Sequence, residues 1–441
     1  MKRRLSIVLC ALLLVAACLP GAALADGKIT WLVSSTSDQL SGYQKLFARF
    51  TEETGIAGDI IATDYSEVYS KLQAMIAAKQ APEVASWGTE FVTWAGRDAM
   101  VPLDDYIARD GFDLSQFDEN ALNSMRWNDQ LWQLPYSVNT CILYYNEELF
   151  EAAGITPPTT DWADTSWTFE SFIDLAQQLT LDSQGRNAKD PEFDANNIVQ
   201  FGVGGMQAWW FYPWYYGGDW TNQEVTEYTG NTPEAQEGVQ QVYDLINKYH
   251  VMPNTAQSEA LASGGSLFMT GKVAMVVDGN WACSSYKGAT FRWNIACSPV
   301  GTQHSVVLFT DGFGIGGGSA NPDGMWEFLK WFYGDKENVL EYLGANSGYL
   351  TIPAFKPVQD DVAAKIAENY PGLNVDVLMN AISIPEAQPV YMRYNVNWNE
   401  INSTLSNEVI DPVQSAEKTA AEAMGDQAFV DSINDIINQE P

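Results

Sequence analysis

Between Lys28 and Trp87 the spacing of apolar residues changes from one period to another and back, and this restricts the fold more than any other feature. Ile29, Trp31 and Val33 alternate with Thr30, Leu32 and Ser34, which is the period of a strand. Leu40, Tyr43, Phe47 and Phe50 then recur at helical spacing until Gly55. Ile60 to Thr63 forms a second short strand, and Asp64 stands where it can cap a helix whose apolar face is Val68, Leu72 and Met75. Pro82 to Trp87 reads as a third strand. Such alternation predicts an α/β lobe on a mainly parallel sheet. Ligands of such sheets lie beyond the carboxyl ends of the strands. That rule gathers Ser34, Ser35, Thr63, Asp64, Trp87 and Glu90 at one rim.

A second region of strands and helices runs from about Tyr144 to Ser298. It contains a polar loop, Asp182 to Asn197, in which Gln184 and Arg186 stand where a calcium loop needs acids, so a solvated loop is expected. Eight of the twelve residues from Trp209 to Trp220 are aromatic. Pro213 and the Gly217-Gly218 pair predict a loop presenting flat rings there. Towards the C-terminus, Met325 to Tyr333 reads as a helix. Ala416 to Asn438 reads as a long helix interrupted by Gly425, with Ala420, Met424, Phe429, Ile433, Ile436 and Ile437 as its buried stripe.

The N-terminus reads as an export signal. Lys2, Arg3 and Arg4 precede an almost wholly apolar run, Leu5 to Ala17, which falls short of the roughly 20 residues a membrane helix needs. Val15-Ala16-Ala17-Cys18 resembles a bacterial lipobox, with Cys18 as the lipidated first residue. Ala23-Leu24-Ala25 resembles an ordinary cleavage site, which would leave the protein periplasmic. The lipobox is favoured, so the expected product is tethered by lipid to the outer face of the cell membrane. The formal charge of -33 repels phosphate backbones and anionic lipid and argues against a nucleic-acid partner. Beyond the leader only Cys141, Cys283 and Cys297 remain, an odd number in apolar stretches, which reads as buried thiols.

Catalytic and cofactor motifs are scarce. Two histidines, His250 and His304, give a serine triad or a zinc site little to work with, and neither HExxH nor a P-loop is present. Gly312 to Gly317 fits GxGxxG, but Asn321-Pro322-Asp323 separates it from the next helix, so no dinucleotide site is expected. No cofactor or metal is expected. Aromatics beside carboxylates or amides do stand out: Trp87 with Glu90, Tyr136 with Asn139, Trp214 and Trp220 with Asp219, Trp281 with Asp278. Sugar C–H faces stack on such rings while hydroxyls need fixed polar partners, and a pre-formed cleft supplies both.

Leu131-Trp132-Gln133-Leu134-Pro135-Tyr136, Leu143-Tyr144-Tyr145-Asn146, Phe268-Met269-Thr270-Gly271-Lys272-Val273-Ala274-Met275, Gly279-Asn280-Trp281 and Gly312-Phe313-Gly314-Ile315 occur in this order along the chain. In this ordered series the chain resembles the extracellular solute-binding proteins of family 1, the sugar-type receptors of ABC importers. The resemblance implies a two-lobed periplasmic-binding-protein fold, of the type of maltose-binding protein. Its sheets would be discontinuous, with a cleft between the lobes. Residues 1–25 would be the leader, 26–137 plus 311–347 lobe one, and 138–310 plus 348–441 lobe two. The chain would cross between lobes near Val138-Asn139, Val307–Thr310 and Gly348–Ile352. The implied cleft contacts are Ser34, Ser35, Trp87, Glu90, Tyr136, Trp281, Gly312 and Tyr349. The spacing around Glu90 and Trp94 departs from maltose-type members.

The expected function is a non-enzymatic receptor that captures a mono- or oligosaccharide by hinge closure and hands it to the ABC permease, acting as a monomer. Two alternatives stay open. Glu90, Asp219, Asp278 and Asp311 would suit a polyamine or peptide. Two of these acids could instead serve a secreted glycoside hydrolase.

Overall fold

The computed structural model describes residues 27–78, 80–82, 84–85, 91–206, 208–263 and 265–440. Cys18 and the leader lie outside these residues, as do Trp87 and Glu90. No helix among the described residues is long and apolar enough to cross a membrane.

The first lobe begins as the sequence predicts. Strand Ile29–Ser34 lies between Gly58–Thr63 and Val84–Ala85, parallel to both. The helix between the first two, Ser37–Thr54, starts with a capping box. Thr36 accepts from the Gln39 amide, and the Gln39 side chain accepts from the Thr36 amide. It ends at Gly55, whose φ of 77° is the left-handed cap conformation that glycine adopts without strain. The helix buries Tyr43, Leu46, Phe47 and Phe50 against Trp31, Phe313, Phe328 and Tyr342.

The second lobe holds a mixed five-stranded sheet in the order Trp293–Ala296, Cys141–Asn146, Val273–Gly279, Ile198–Met206, Leu181–Asp182. Only Ile198–Met206 and Val273–Gly279 run parallel. One face of this sheet, with Leu143, Val203 and Val277, joins Phe172, Tyr215, Trp220, Val239 and Ile433 in a second core.

A third sheet joins the lobes. Its order is Ile352–Pro353, Gln133–Asn139, Val307–Gly316, Gln388–Pro389. Asn139 stands opposite Phe309, while Val138 stands opposite both Thr310 and Ile352. Leu134 and Tyr136 belong to the first core, whereas Cys141 and Leu143 belong to the second. Gly312 and Gly314 sit inside strand Val307–Gly316, not on a phosphate loop. A Cβ at Gly314 would lie 2.7 Å from the Trp132 carbonyl oxygen, so the glycines serve close strand approach. The segment after Pro353 leans on both lobes. Phe355 packs at 5.7 Å on Phe117 and 5.3 Å on Tyr333, and further on Trp162 donates its indole N–H to the Val377 carbonyl at 3.0 Å.

Three local expectations change. The aromatic run is not an open loop: it folds as two 3-10 turns, Trp209–Phe211 and Pro213–Tyr216, the second opened by Pro213 and closed by Gly217. The C-terminal stretch is two helices, Ala420–Met424 and Gln427–Ile437, because Asp426 caps the second by accepting from the Phe429 amide. The polar loop is organised, not merely solvated. The enclosed carboxylate of Asp182 accepts from the amides of Gln184, Arg186 and Asp194 and from the Arg186 guanidinium at 2.7 Å. These bonds hold the Asp182 carboxyl at about 2, against the cost of burial. A tethered cation thus fills the place a metal would take. The cysteines Cys141, Cys283 and Cys297 are free and buried.

Candidate ligand-binding cleft

Strand Val273–Gly279 ends in the 3-10 turn Asn280–Ala282, which turns Trp281 outward. Trp281 is 43% exposed, one of two large hydrophobic residues so open among the described residues. Its ring lies 6.0 Å from Phe309, and Phe309 lies 6.1 Å from Trp210. Trp209 follows at 6.0 Å from Trp210 and rests edge-on against the buried Trp220 at 5.1 Å. These four rings, each only partly covered or exposed, form a continuous aromatic wall. The Arg393 guanidinium lies over three rings, 4.3 Å from Trp210, 5.2 Å from Trp398 and 5.3 Å from Phe309. Cation–π attraction of this kind fixes the wall's backing. Asn402 accepts from the Trp210 indole N–H at 2.9 Å.

Polar groups border the wall at the strands between the lobes. Asn139 donates to Asp311 at 2.9 Å and accepts from Asn280 at 3.0 Å and from the Thr351 hydroxyl at 3.2 Å. Burial pushes the Asp311 carboxyl up to about 6, with the hydrogen bonds of Ser137 and Asn139 and the charge of Arg393 pulling the other way. Asp219 is likewise pushed up to about 6 by burial, although the Trp220 amide donates to it at 2.7 Å. Asp278 accepts from Tyr286 at 2.6 Å, and burial raises it too. No group of three or more His, Cys, Asp or Glu suited to a metal occurs among the described residues.

Ser34, Ser35 and Asp64 come together at the carboxyl end of the first sheet, where Ser34 pairs with Thr63 and the Ser35 amide donates to the Thr63 carbonyl at 3.2 Å. The Ser35 hydroxyl is enclosed without a partner among the described residues. Asn139, Asp311 and Gly312 meet on adjacent strands. Tyr349 is held at φ 71° just beyond the helix Lys336–Ser347, a conformation costly for a non-glycine residue. Three expected contacts go elsewhere. Tyr136 is 2% exposed and packs on Phe313 and Tyr342 at 4.7 and 4.8 Å. Trp214 and Trp220, at 1% and 0%, belong to the second core. For Trp214 the reason is the register of the two 3-10 turns, which directs Phe211, Trp214 and Tyr215 inward and leaves Trp209 and Trp210 at the surface. Sequence reading missed Trp209, Trp210, Phe309 and Arg393. The first two lay within the aromatic run it had already marked, while Arg393 is about 180 residues away and carries no local signal.

The family model of bacterial extracellular solute-binding proteins matches residues 34–339. The chain belongs to this family. Among relatives of this solute-binding protein, maltotriose-binding protein of Pyrococcus abyssi is 22% identical over 321 residues, 70% of this chain and 62% of that protein. This chain therefore matches less than two thirds of that relative's length. An ABC substrate-binding protein from Listeria monocytogenes, solved with cycloalternan, superposes with a TM-score of 0.74 at 22% identity, covering 92% of this chain and 98% of that one. Maltotriose binding protein of Thermus thermophilus, solved with maltotriose, gives 0.67 at 18% identity, covering 93% and 100%. The likeness establishes the two-lobed, maltose-binding-protein-like α/β fold for this solute-binding protein.

Proposed function

We propose that this solute-binding protein is an exported, non-enzymatic sugar receptor of an ABC importer, capturing a mono- or oligosaccharide between its lobes and delivering it to the permease. The carrying observation is the wall of Trp209, Trp210, Phe309 and Trp281 beside the amide and carboxylate groups at Asn139 and Asp311. Flat rings next to fixed polar partners suit a neutral polyhydroxylated ligand. Relatives and structural neighbours named for, or solved with, malto-oligosaccharides support the same class. Ser34, Ser35 and Asp64 would face the wall from lobe one. The proposed boundaries stay at 137/138, 310/311 and 347/348, with the segment after Pro353 leaning on both lobes. A thermal-shift screen over mono- and oligosaccharides tests this reading. A sugar at about 100 times its dissociation constant adds about 2.7 kcal/mol of stability, and no product forms over hours. Steady hydrolysis by pure protein would replace the receptor with a hydrolase.

The anchor belongs to the same proposal. Cys18→Ser is expected to abolish lipid attachment and release the protein or leave it unprocessed. Mass spectrometry of the wild type settles the competing site, since a mature chain starting at Asp26 without lipid contradicts a Cys18 anchor.

A further inference from the structure

Asn280 stands between the exposed Trp281 and the strands that join the lobes, and it has no exposed surface. Its backbone N–H donates to the Thr140 carbonyl at 3.0 Å, and its side-chain oxygen accepts from the Thr140 amide at 2.8 Å. Its amide nitrogen donates to the Leu350 carbonyl at 2.6 Å and to the Asn139 side-chain oxygen at 3.0 Å. One carboxamide thereby grips the chain at two places where it passes between lobes. Asn139 extends the grip to the third, through its 2.9 Å bond to Asp311. Thr351 closes the network by sharing its one hydroxyl hydrogen between the Val138 carbonyl at 3.1 Å and the Asn139 side-chain oxygen at 3.2 Å.

We propose that Asn280 is a positioning residue that fixes Trp281 to all three inter-lobe passages, so that a ligand stacked on this ring acts directly on the hinge. The role rests on the reading of Trp281 as part of the ligand wall. The chemistry requires an amide. A carboxamide offers one acceptor and two hydrogens, and this site presents one donor and two acceptors. Asparagine fits these partners without remainder. Aspartate has the same shape and keeps the Thr140 bond, but turns an oxygen towards the Leu350 carbonyl and the Asn139 oxygen.

Asn280→Asp is therefore the decisive substitution, with Thr351→Val as a milder cut in the same network. The measurement is ligand-free. Spin labels at Glu52→Cys and Glu237→Cys, exposed positions on the two lobes, report the inter-lobe distance by pulsed dipolar spectroscopy. Cys141, Cys283 and Cys297 are buried and stay unlabelled, and Cys10 and Cys18 are replaced by serine in the labelled protein. Asn280→Asp is expected to broaden the distance distribution markedly and Thr351→Val to broaden it less, both with cooperative unfolding retained. If Asn280→Asp fails to fold, Thr351→Val carries the test alone. A distribution identical to wild type in every folded variant overturns the proposal. Because no sugar is added, a failure of the sugar reading leaves this outcome unaffected. A second measurement tests the link to the ring. The chain has sixteen tryptophans, so the Trp281 signal is taken as the difference between each protein and its Trp281→Phe counterpart, and this difference spectrum should shift with Asn280→Asp. An unshifted spectrum would detach Asn280 from the wall.

Discussion

Trp281 and Trp214 are the same residue type in the same lobe, and exposure separates their roles. Trp281 is 43% exposed and touches Phe309 by its ring, whereas Trp214 is 1% exposed in the second core. Trp281→Ala is expected to weaken sugar binding by about 2 kcal/mol, the scale of a hot-spot aromatic, with unfolding stability little changed. Trp214→Ala should do the reverse, removing about 3–5 kcal/mol of stability through the cavity it leaves. Isothermal titration beside chemical denaturation reads both quantities. A Trp281→Ala protein that loses stability and keeps its affinity would move that ring into the core. Sequence could name both tryptophans as candidates but not sort them. The sorting depends on two separate 3-10 turns, Pro213–Tyr216 for Trp214 and Asn280–Ala282 for Trp281, where one residue of offset exchanges inside for outside.

At the scale of elements, local chemistry was legible wherever a strong local signal set the structure. The box of Thr36 and Gln39, the stop at Gly55 and the alternation of Ile29, Trp31 and Val33 all act within a few residues. Reading failed where partners are distant. Arg393 meets Trp210 only because the chain returns after Pro389, and Asn280 meets Leu350 across 70 residues. The loop from Asp182 to Asn197 is an intermediate case: its composition showed that calcium ligands were missing, but not that Arg186 supplied the counter-charge. Asp182→Asn keeps shape while removing the charge that Arg186 and three amides address. It is expected to loosen the loop, raising amide exchange at Gln184, Arg186 and Asp194, with sugar affinity unchanged. Unaltered exchange at those amides would show that the carboxylate does not organise the loop.

At the scale of the molecule, net charge and two partly buried acids shape the response to pH. Asp219 and Asp311 titrate near 6 in the folded chain, above the ordinary 3.8 that they regain on unfolding. Between those values the folded state binds more protons than the unfolded one, so stability falls as pH rises. The penalty is complete above pH 6 and is relieved as pH drops towards 4. At neutral pH each carboxylate costs the folded state about 3 kcal/mol. Asp182 acts oppositely. Its folded value of about 2 lies below the ordinary range, so its contribution is present above about pH 4 and is lost only in stronger acid. Stability should therefore peak on the acid side of neutrality, near pH 4–5. The charge of -33 tilts the curve the same way by self-repulsion, so the slope alone does not identify its source. Substitution does. Asp219→Asn and Asp311→Asn each remove one unit of charge from fifty-six acids but one of the two most strongly raised carboxyls among the described residues. The double variant should flatten the rise in thermal midpoint between pH 7 and pH 5, while two substitutions at exposed acids such as Glu52 and Glu237 should leave it. Equal flattening by both pairs would assign the pH response to overall repulsion and leave the hinge acid without a special part in it.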